Sequence, residues 1–284
     1  MNAGRLAAAI RHIGRVPEVW RCQRRLTGWT RITRAYVGLQ SLVLPCEVRT
    51  KSGEVFTLQE FYDLETLWQV FCREVYSVDP SDRVIIDAGA NIGLFACYAA
   101  AIAPTSIVHA IEPFPETFRR LSRTIERNHL QSRITCHNIA LASTEGMGTM
   151  SAETESSQMF HLSSAASDVG TRVRTTTLTS LLGQIDAPVD LLKMDIEGSE
   201  YDVLLSTPVA ALQPIGRITV EFHEPAWPSD SDKRTLADHI CGAGFRLRED
   251  PAIPNEYGIF HFTKPLSPIS RTATAPRALG AARA

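Results

Sequence analysis

Residues 84–93 read VIIDAGANIG, and this stretch is the clearest indication of the fold. An apolar strand is followed here by an acidic residue and then by a turn. The acid is Asp87, and the turn contains Gly89 and Gly93, which permit tight turning and close backbone approach. An apolar helix is predicted directly afterwards, over Gly93–Ala103. This order is typical of the first βα unit of a doubly wound sheet, where ligands bind at the carboxyl ends of the strands.

Outward from this unit, short apolar strands alternate with longer helical stretches. Strands are predicted at Val84–Ile86, Ser106–Ile111, Ile134–Ala140, Val189–Met194 and Arg217–Glu221, and helices at Pro115–Asn128, Ser199–Leu205 and Asp232–Ala243. Arg246–Arg248 and Gly258–Phe262 are predicted as a closing antiparallel pair, and residues 143–168 as part hairpin and part loop. Such alternation indicates βαβ units. The sequence therefore predicts a Rossmann-like α/β fold with a mostly parallel seven-stranded sheet and helices on both faces.

The chain before residue 79 has a different pattern. An amphipathic helix is predicted over residues 4–26, a hairpin over residues 42–58, and a helix with one apolar face over residues 59–76. We therefore divide the chain into an N-terminal basic helix, hairpin and helix extension at 1–78, a cofactor-binding domain at 79–264, and a disordered tail at 265–284. We expect the extension to cover the substrate side of the cofactor cleft.

Charge is unevenly distributed along the 284 residues, whose formal net charge is −2. Residues 1–34 hold eight arginines against one glutamate, and residues 265–284 hold three arginines and no acid, so the body between them is acidic. A basic head fits either weak contact with an anionic surface or a solvated helix face. An acidic body without an aromatic–basic RNA motif argues against a nucleic-acid partner.

The six cysteines indicate a reducing compartment, because they form no CxxC pair and no zinc-type spacing. We find no signal-peptide pattern and no apolar run long enough for a transmembrane helix, so a cytoplasmic location is expected. The oligomeric state is open.

The acid that ends the first strand narrows the choice of cofactor. Asp87 would repel a pyrophosphate, and the glycine spacing is not that of a dinucleotide site. S-adenosylmethionine (SAM) has no phosphate and carries a positive sulfonium and amino group, which an acid suits. Glu112 ends the second strand, where a carboxylate can accept both ribose hydroxyls, and Asn138 follows the third, near the expected adenine edge. Asp87 could alternatively be a helix cap.

Residues 191–200, LLKMDIEGSE, resemble the Lys-x-Asp-x-Glu-Gly-x-Glu motif of the FkbM family of methyltransferases. The turn at 87–93 and the Glu112-Pro113 pair are similar to the family's other motifs, and the likeness runs from about residue 54 to 262. Ser143 departs from the pattern, since members often carry an acid there. The resemblance implies SAM-dependent O-methylation of a hydroxyl on a sugar, polyketide or other small natural product. The predicted cofactor site comprises Asp87, Gly89, Asn91, Gly93, Glu112, Asn138, Ala140 and Asp195.

A second polar group ends the fourth and fifth strands. Lys193 and Asp195 project to one side of their strand, and Glu221 and His223 do the same on theirs. If the strands are neighbours, these four side chains converge, and we predict them as the catalytic residues. Asp195 or His223 is expected to be the general base that takes the acceptor's proton, and Lys193 an electrostatic or positioning residue.

Alternatives stay open for this group and for the chain. Asp195, Glu221 and His223 could coordinate Mg²⁺, although their spacing is not diagnostic. Lys193–Glu221 and Asp195–His223 could instead be salt bridges that cap the strand ends. An NAD(P)-dependent oxidoreductase and a non-catalytic SAM-binding or scaffold protein are the competing functions.

Overall fold

The structure is a computed structural model that describes residues 16–152, 160–163, 170–222, 230–248 and 258–265. Its strands are β1 (Cys46–Arg49), β2 (Val55–Leu58), β3 (Val84–Ala88), β4 (Ile107–Ile111), β5 (Ile134–His137), β6 (Ala140–Leu141), β7 (Gly146–Ala152), β8 (Phe160–Ser163), β9 (Thr171–Thr176), β10 (Val189–Met194), β11 (Ile215–Phe222), β12 (Arg246–Arg248) and β13 (Gly258–Thr263). Its α-helices are α1 (Val16–Arg25), α2 (Trp29–Tyr36), α3 (Phe61–Trp68), α4 (Leu94–Ile102), α5 (Pro115–Arg127), α6 (Leu178–Ile185), α7 (Glu200–Ser206) and α8 (Asp230–Gly242). A π-helix at Gln69–Arg73 continues α3, and a 3-10 helix lies at Val209–Leu212.

Seven strands form the central sheet, in the order β12-β13-β11-β10-β3-β4-β5. The pairs from β11 to β5 are parallel, and β13 runs antiparallel to both β11 and β12. The predicted mostly parallel sheet and its closing antiparallel pair are confirmed. Because the strand order reverses between β3 and β10, the carboxyl ends of these two strands form the switch point where such folds bind ligands.

Helices cover both faces of this sheet through two hydrophobic cores. On one face, α4 and α5 pack together with α1, α2, the β1–β2 hairpin and α3, and Trp68 and Phe56 are fully buried there. On the other face, α6, α7 and α8 cover the strands. The N-terminal extension therefore shares a core with the sheet. Within the described ranges, no helix has the length and hydropathy that crossing a bilayer requires.

The helix predicted over residues 59–76 is shorter in the structure. Regular α-helix ends at Trp68, a π-helical turn follows, and Glu74 ends it with a left-handed φ of 55°. Phe61, expected on the apolar face, is 49% exposed. Tyr76 consequently lies beyond the helix, in the segment that leads to β3.

The strand predicted over residues 134–140 is divided between two sheets. β5 joins the main sheet, whereas β6 pairs with β9 in a four-stranded sheet of order β6-β9-β7-β8. Between them, the side-chain amide of Asn138 donates to the main-chain oxygens of Glu112 and Pro113, both at 2.9 Å. These contacts hold the chain after β5 against the end of β4. β9 was not predicted, because Val173 is its single large apolar residue. Helix α6, whose buried residues are Leu178, Leu181 and Leu182, was also missed.

Two predicted terminal segments lie outside the described residues. They are residues 4–15 of the N-terminal helix and residues 266–284 of the tail. The hairpin at 42–58 is confirmed as the antiparallel β1–β2 pair, although its strands begin only at Cys46.

Candidate functional site

The site begins where β3 and β10 end side by side, with Asp87 opposite Lys193 in the register. Gly89 leaves β3 with a φ of 77°, and a Cβ there would lie 1.7 Å from the main-chain oxygen of Asp195. The N–H of Asp195 donates to the oxygen of Ala88 at 3.1 Å. Gly89 is therefore required by the contact between the turn and the end of β10.

The rest of the turn serves two separate purposes. Asn91 adopts a left-handed φ of 48° and lines the cleft, and its side-chain oxygen is buried without a hydrogen-bond partner among the described residues. It can therefore accept a hydrogen bond from a ligand. At Gly93, with a φ of 89°, a Cβ would lie 2.8 Å from the Leu121 side chain. Gly93 thus allows close packing of the turn against α5.

Lys193 is at the centre of a buried ionic cluster. Its Nζ lies 3.0 Å from Asp87 Oδ1 and 3.7 Å from Asp195 Oδ2. It also donates to the main-chain oxygens of Gly89 and Ala88, at 2.8 and 3.3 Å. The Asp87 and Lys193 side chains are 0% and 4% exposed, whereas that of Asp195 is 22% exposed. Asp195 is the member of this ion-paired group that opens to solvent.

Burial and charge act in opposite directions on this cluster. Burial raises the pKa of Asp87, although the Lys193 ammonium acts to lower it. Burial lowers the pKa of Lys193, but the neighbouring carboxylates, Asp87 above all, outweigh burial and the net pKa shift is upward. Lys193 therefore stays protonated at neutral pH, which fits an electrostatic role and disfavours its use as a base.

Tyr76 completes the cluster, and sequence reasoning missed it. Its buried ring packs edge-on against Phe95 with 5.3 Å between ring centroids. Its hydroxyl donates to Glu221 Oε2 and lies 3.3 Å from Asp195 Oδ2. Burial, and then the charge of Glu221, raise the pKa of Tyr76 well above its ordinary value, so the hydroxyl remains a donor. Only its place in a short apolar stretch before residues 79–82 distinguishes it in the sequence.

The structure brings together three of the four predicted catalytic residues, because β10 and β11 are neighbours and Lys193, Asp195 and Glu221 line one cleft. Their partners differ from those expected. Lys193 forms its ion pair with Asp87 on β3, and Glu221 accepts the tyrosine hydroxyl. His223 lies outside the described residues, so its role and its contact with Asp195 stay predictions.

The magnesium interpretation gains no support from the described residues. Among them, no group of three or more His, Cys, Asp or Glu side chains is arranged to hold a metal ion. Of the three predicted ligands, Asp195 lies beside the Lys193 ammonium, Glu221 accepts the Tyr76 hydroxyl, and His223 lies outside the described residues.

Glu112 is buried at the end of β4, next to the turn. Its two oxygens accept the main-chain N–H groups of Asn91 and Phe114, both at 3.0 Å. Burial raises the pKa of Glu112 to about 7, and the two N–H groups only partly oppose the shift. Each oxygen retains lone-pair capacity for a further donor. The carboxylate can therefore serve the predicted ribose hydroxyls, and its charge changes near neutral pH.

The two residues predicted after the third strand have different positions. Ala140 lines the cleft beside Leu141. Asn138 is exposed, and its amide nitrogen is engaged by the loop after β4. A direct contact between Asn138 and adenine stays a prediction, while Ala140 is placed to contact a flat apolar ring.

The remaining walls of the cleft come from four parts of the chain. The N-terminal extension contributes Glu65, Thr66, Gln69, Val70 and Tyr76, α4 contributes Leu94 and Phe95, the second sheet contributes Met150, and the segment after β10 contributes Ile196, Glu197 and Ser199. The cleft encloses about 1100 Å³ of empty space, including the part open to solvent.

Glu200 is fully buried, and its carboxylate accepts the N–H groups of Ile196 and Gly198 at 2.8 and 2.9 Å. Glu200 therefore shapes this segment.

The fold and the acidic cleft at its switch point define a Rossmann-like methyltransferase domain. Residues 87–247 match the sequence model of the methyltransferase FkbM domain, which is more than half of the chain. The chain belongs to this family, as the resemblance at residues 191–200 predicts. Tyr76 and helices α1 to α3 lie before the matched region.

Three relatives differ in size and in the share of their length that aligns. The AMB antimetabolite synthetase AmbE of Pseudomonas aeruginosa is 30% identical over 248 residues, which cover 72% of this chain but 12% of that protein. Methyltransferase 1 of Beauveria bassiana is 31% identical over 215 residues, which cover 66% of this chain and 84% of that protein. The 31-O-demethyl-FK506 methyltransferase FkbM of Streptomyces tacrolimicus is 26% identical over 185 residues, which cover 54% of this chain and 70% of that protein.

Proposed function

We propose that this chain transfers a methyl group from SAM to a hydroxyl of a small molecule, such as a sugar or a polyketide. The observation that carries the proposal is the buried Asp87 at the end of β3, joined at the switch point by Asp195 and Glu112. Carboxylates suit the positive sulfonium and amino group of SAM and oppose a pyrophosphate. The name of the Streptomyces relative, an O-demethyl-FK506 methyltransferase, supports a hydroxyl as the acceptor.

The described residues fit this cofactor in three respects. Glu112 offers two carboxylate oxygens for the ribose hydroxyls, and the unpartnered side-chain oxygen of Asn91 offers a further acceptor. Ala140 and Leu141 offer an apolar surface for adenine. Lys193 is the single cation among the described lining residues, and it is buried and paired with Asp87.

Asp195 is our candidate for the general base. When bound, SAM supplies a methyl group whose bond to sulfur breaks as the acceptor oxygen attacks its carbon. Asp195 is more exposed than the other cluster members and takes the hydroxyl proton as the oxygen–carbon bond forms. Lys193 holds Asp195 in place, and apolar residues such as Phe95 and Val70 limit access of water. His223 is the alternative base.

Transfer of tritiated methyl groups from SAM to a pool of neutral hydroxylated small molecules tests the proposal. We expect Asp195→Asn, measured at saturating SAM so that any weaker cofactor binding does not enter, to lose about 10²–10⁴-fold in transfer rate. The matched control is Asp202→Asn, at an exposed aspartate on α7, which should transfer at the wild-type rate. Full activity of Asp195→Asn would move the base to His223. Binding of S-adenosylhomocysteine (SAH) by the wild type without transfer to any pool would favour a non-catalytic binding protein.

Four expectations stay predictions. They are a small-molecule acceptor as partner, the lack of a nucleic-acid partner, a cytoplasmic location, and contact of residues 1–34 with an anionic surface. An electrophoretic mobility shift of RNA would contradict the expected lack of a nucleic-acid partner. Co-sedimentation with anionic vesicles would support contact of residues 1–34 with an anionic surface.

A further inference from the structure

The described part of the N-terminal extension contributes the hydroxyl of Tyr76 to the ionic cluster. The residue lies before the part of the chain that matches the family, and its ring is 2% exposed. Phe95 packs against one side, and Lys193 Nζ lies 5.5 Å from the ring centroid. The ring is therefore held firmly, and the direction of its hydroxyl is set by packing.

One hydroxyl proton serves two carboxylates at this place. Tyr76 contacts Glu221 closely and Asp195 Oδ2 at 3.3 Å, and a tyrosine has a single O–H donor. Glu221 makes the closer contact and accepts the hydrogen bond, so Glu221 is the carboxylate whose charge the Tyr76 hydroxyl stabilises. Glu221 is 4% exposed, whereas the Asp195 side chain is 22% exposed.

We propose that Tyr76 is a positioning residue whose hydroxyl fixes Glu221 and thereby leaves Asp195 as the carboxylate that faces the acceptor. The inference rests on the proposed methyl transfer and adds the division of labour between two neighbouring carboxylates. Without the hydroxyl, Glu221 is a buried acid that has lost a hydrogen-bond donor in a cluster that also holds Asp195 and Asp87, and the like charges favour uptake of a proton. That proton would compete with the one that Asp195 must accept.

The charged and titratable groups around the Tyr76 hydroxyl come from three strands. They are Asp87 on β3, Lys193 and the following Asp195 on β10, and Glu221 on β11, while α4 presents the uncharged Phe95. Three carboxylates thus face one ammonium, and the Tyr76 hydroxyl is the further hydrogen-bond donor that points at two of them. Its removal should make the cluster take up a proton at a higher pH.

The ratio of SAM to SAH affinity reports this charge without any acceptor. The two ligands differ in the methyl group and the positive charge on sulfur, so ionised carboxylates in the cleft favour SAM. We would measure both dissociation constants by calorimetry between pH 5 and 8 for the wild type and for Tyr76→Phe. A hydrogen bond to a charged group corresponds to a shift of about one to two pH units. As the pH is lowered, the ratio of SAM to SAH affinity should begin to fall in Tyr76→Phe at a pH that is higher by that amount than in the wild type.

Tyr98→Phe is the matched control, because Tyr98 packs on the same Phe95, at 6.4 Å between centroids, and lies outside the cleft lining. It should leave the profile unchanged. An unchanged profile in Tyr76→Phe, or an equal shift in Tyr98→Phe, would overturn the inference.

Glu221→Gln provides a second test, because glutamine keeps an oxygen for the tyrosine hydroxyl but cannot titrate. Combined with Tyr76→Phe, it should abolish the pH shift of the single variant. A shift that persists in the double variant would place the proton on another group and contradict the assignment. If wild-type protein binds neither SAM nor SAH, the proposed function itself fails. If both bind and the Tyr76→Phe profile stays unchanged, only the role of Tyr76 fails.

Discussion

Glu112 should make cofactor affinity depend on pH close to neutrality. Burial raises its pKa to about 7, although the N–H groups of Phe114 and Asn91 stabilise its charge. If the ionised carboxylate accepts the ribose hydroxyls, binding of SAH requires the deprotonated form. For a pKa of about 7, the apparent dissociation constant at pH 6 is about elevenfold weaker than the high-pH limit. At pH 8 it is weaker by only about a tenth.

Calorimetric titration with SAH at pH 6, 7 and 8 measures this dependence. Glu112→Gln has nearly the same shape but cannot ionise, so we expect weak binding with a flat profile across this range. The matched control is Glu116→Gln, at an exposed position in the first turn of α5, which should retain the wild-type profile. A flat wild-type profile, or an unchanged slope in Glu112→Gln, would refute the assignment of Glu112 to the ribose.

Three further predictions concern the scaffold. Gly89→Ala places a Cβ 1.7 Å from a main-chain oxygen at a φ of 77°, and we expect a loss of about 2–5 kcal/mol in urea unfolding together with weaker SAH binding. Arg120→Met leaves the fully buried Asp63 carboxylate without its 2.5 Å ion pair, at a cost of about 3–5 kcal/mol in the same assay; a loss below 1 kcal/mol would contradict the buried-pair interpretation. Burial lowers the pKa values of His109 and His137 below 6.5, so the fold favours their neutral forms and loses stability as pH falls below 6.5. Replacing both by glutamine should flatten the pH dependence of thermal unfolding between pH 6.5 and 5, and an unchanged slope would exclude them as its source.

Local patterns in the sequence are sufficient to predict the strands and helices around the switch point. β10 has the predicted bounds, and Asp87, Glu112 and Lys193 were recognised because polar residues at the ends of apolar strands are conspicuous. Partners are harder to predict, since they depend on register between strands distant in the chain. Lys193 could face Glu221 on one neighbour or Asp87 on the other, and only the packed sheet shows that Asp87 is the ion-pair partner.

The contribution of the N-terminal extension could be predicted only in outline. The apolar face at 59–76 indicated a helix against the core, but the left-handed Glu74 ends that helix early. Tyr76 consequently reaches the cluster through tertiary packing against Phe95, which no periodicity encodes. The sequence predicted that Gly89 lies in a tight turn, but it did not predict which residue the turn contacts. That residue is Asp195, directly after β10 and more than a hundred residues away.

The most direct test of the central claim is calorimetric titration of the full chain with SAH and, separately, with NAD⁺. An acidic cleft built around Asp87 and Lys193 predicts saturable one-to-one binding of SAH at micromolar or lower concentration and no binding of NAD⁺. Binding of NAD⁺ without SAH, by protein that melts cooperatively, would contradict the account and indicate an oxidoreductase.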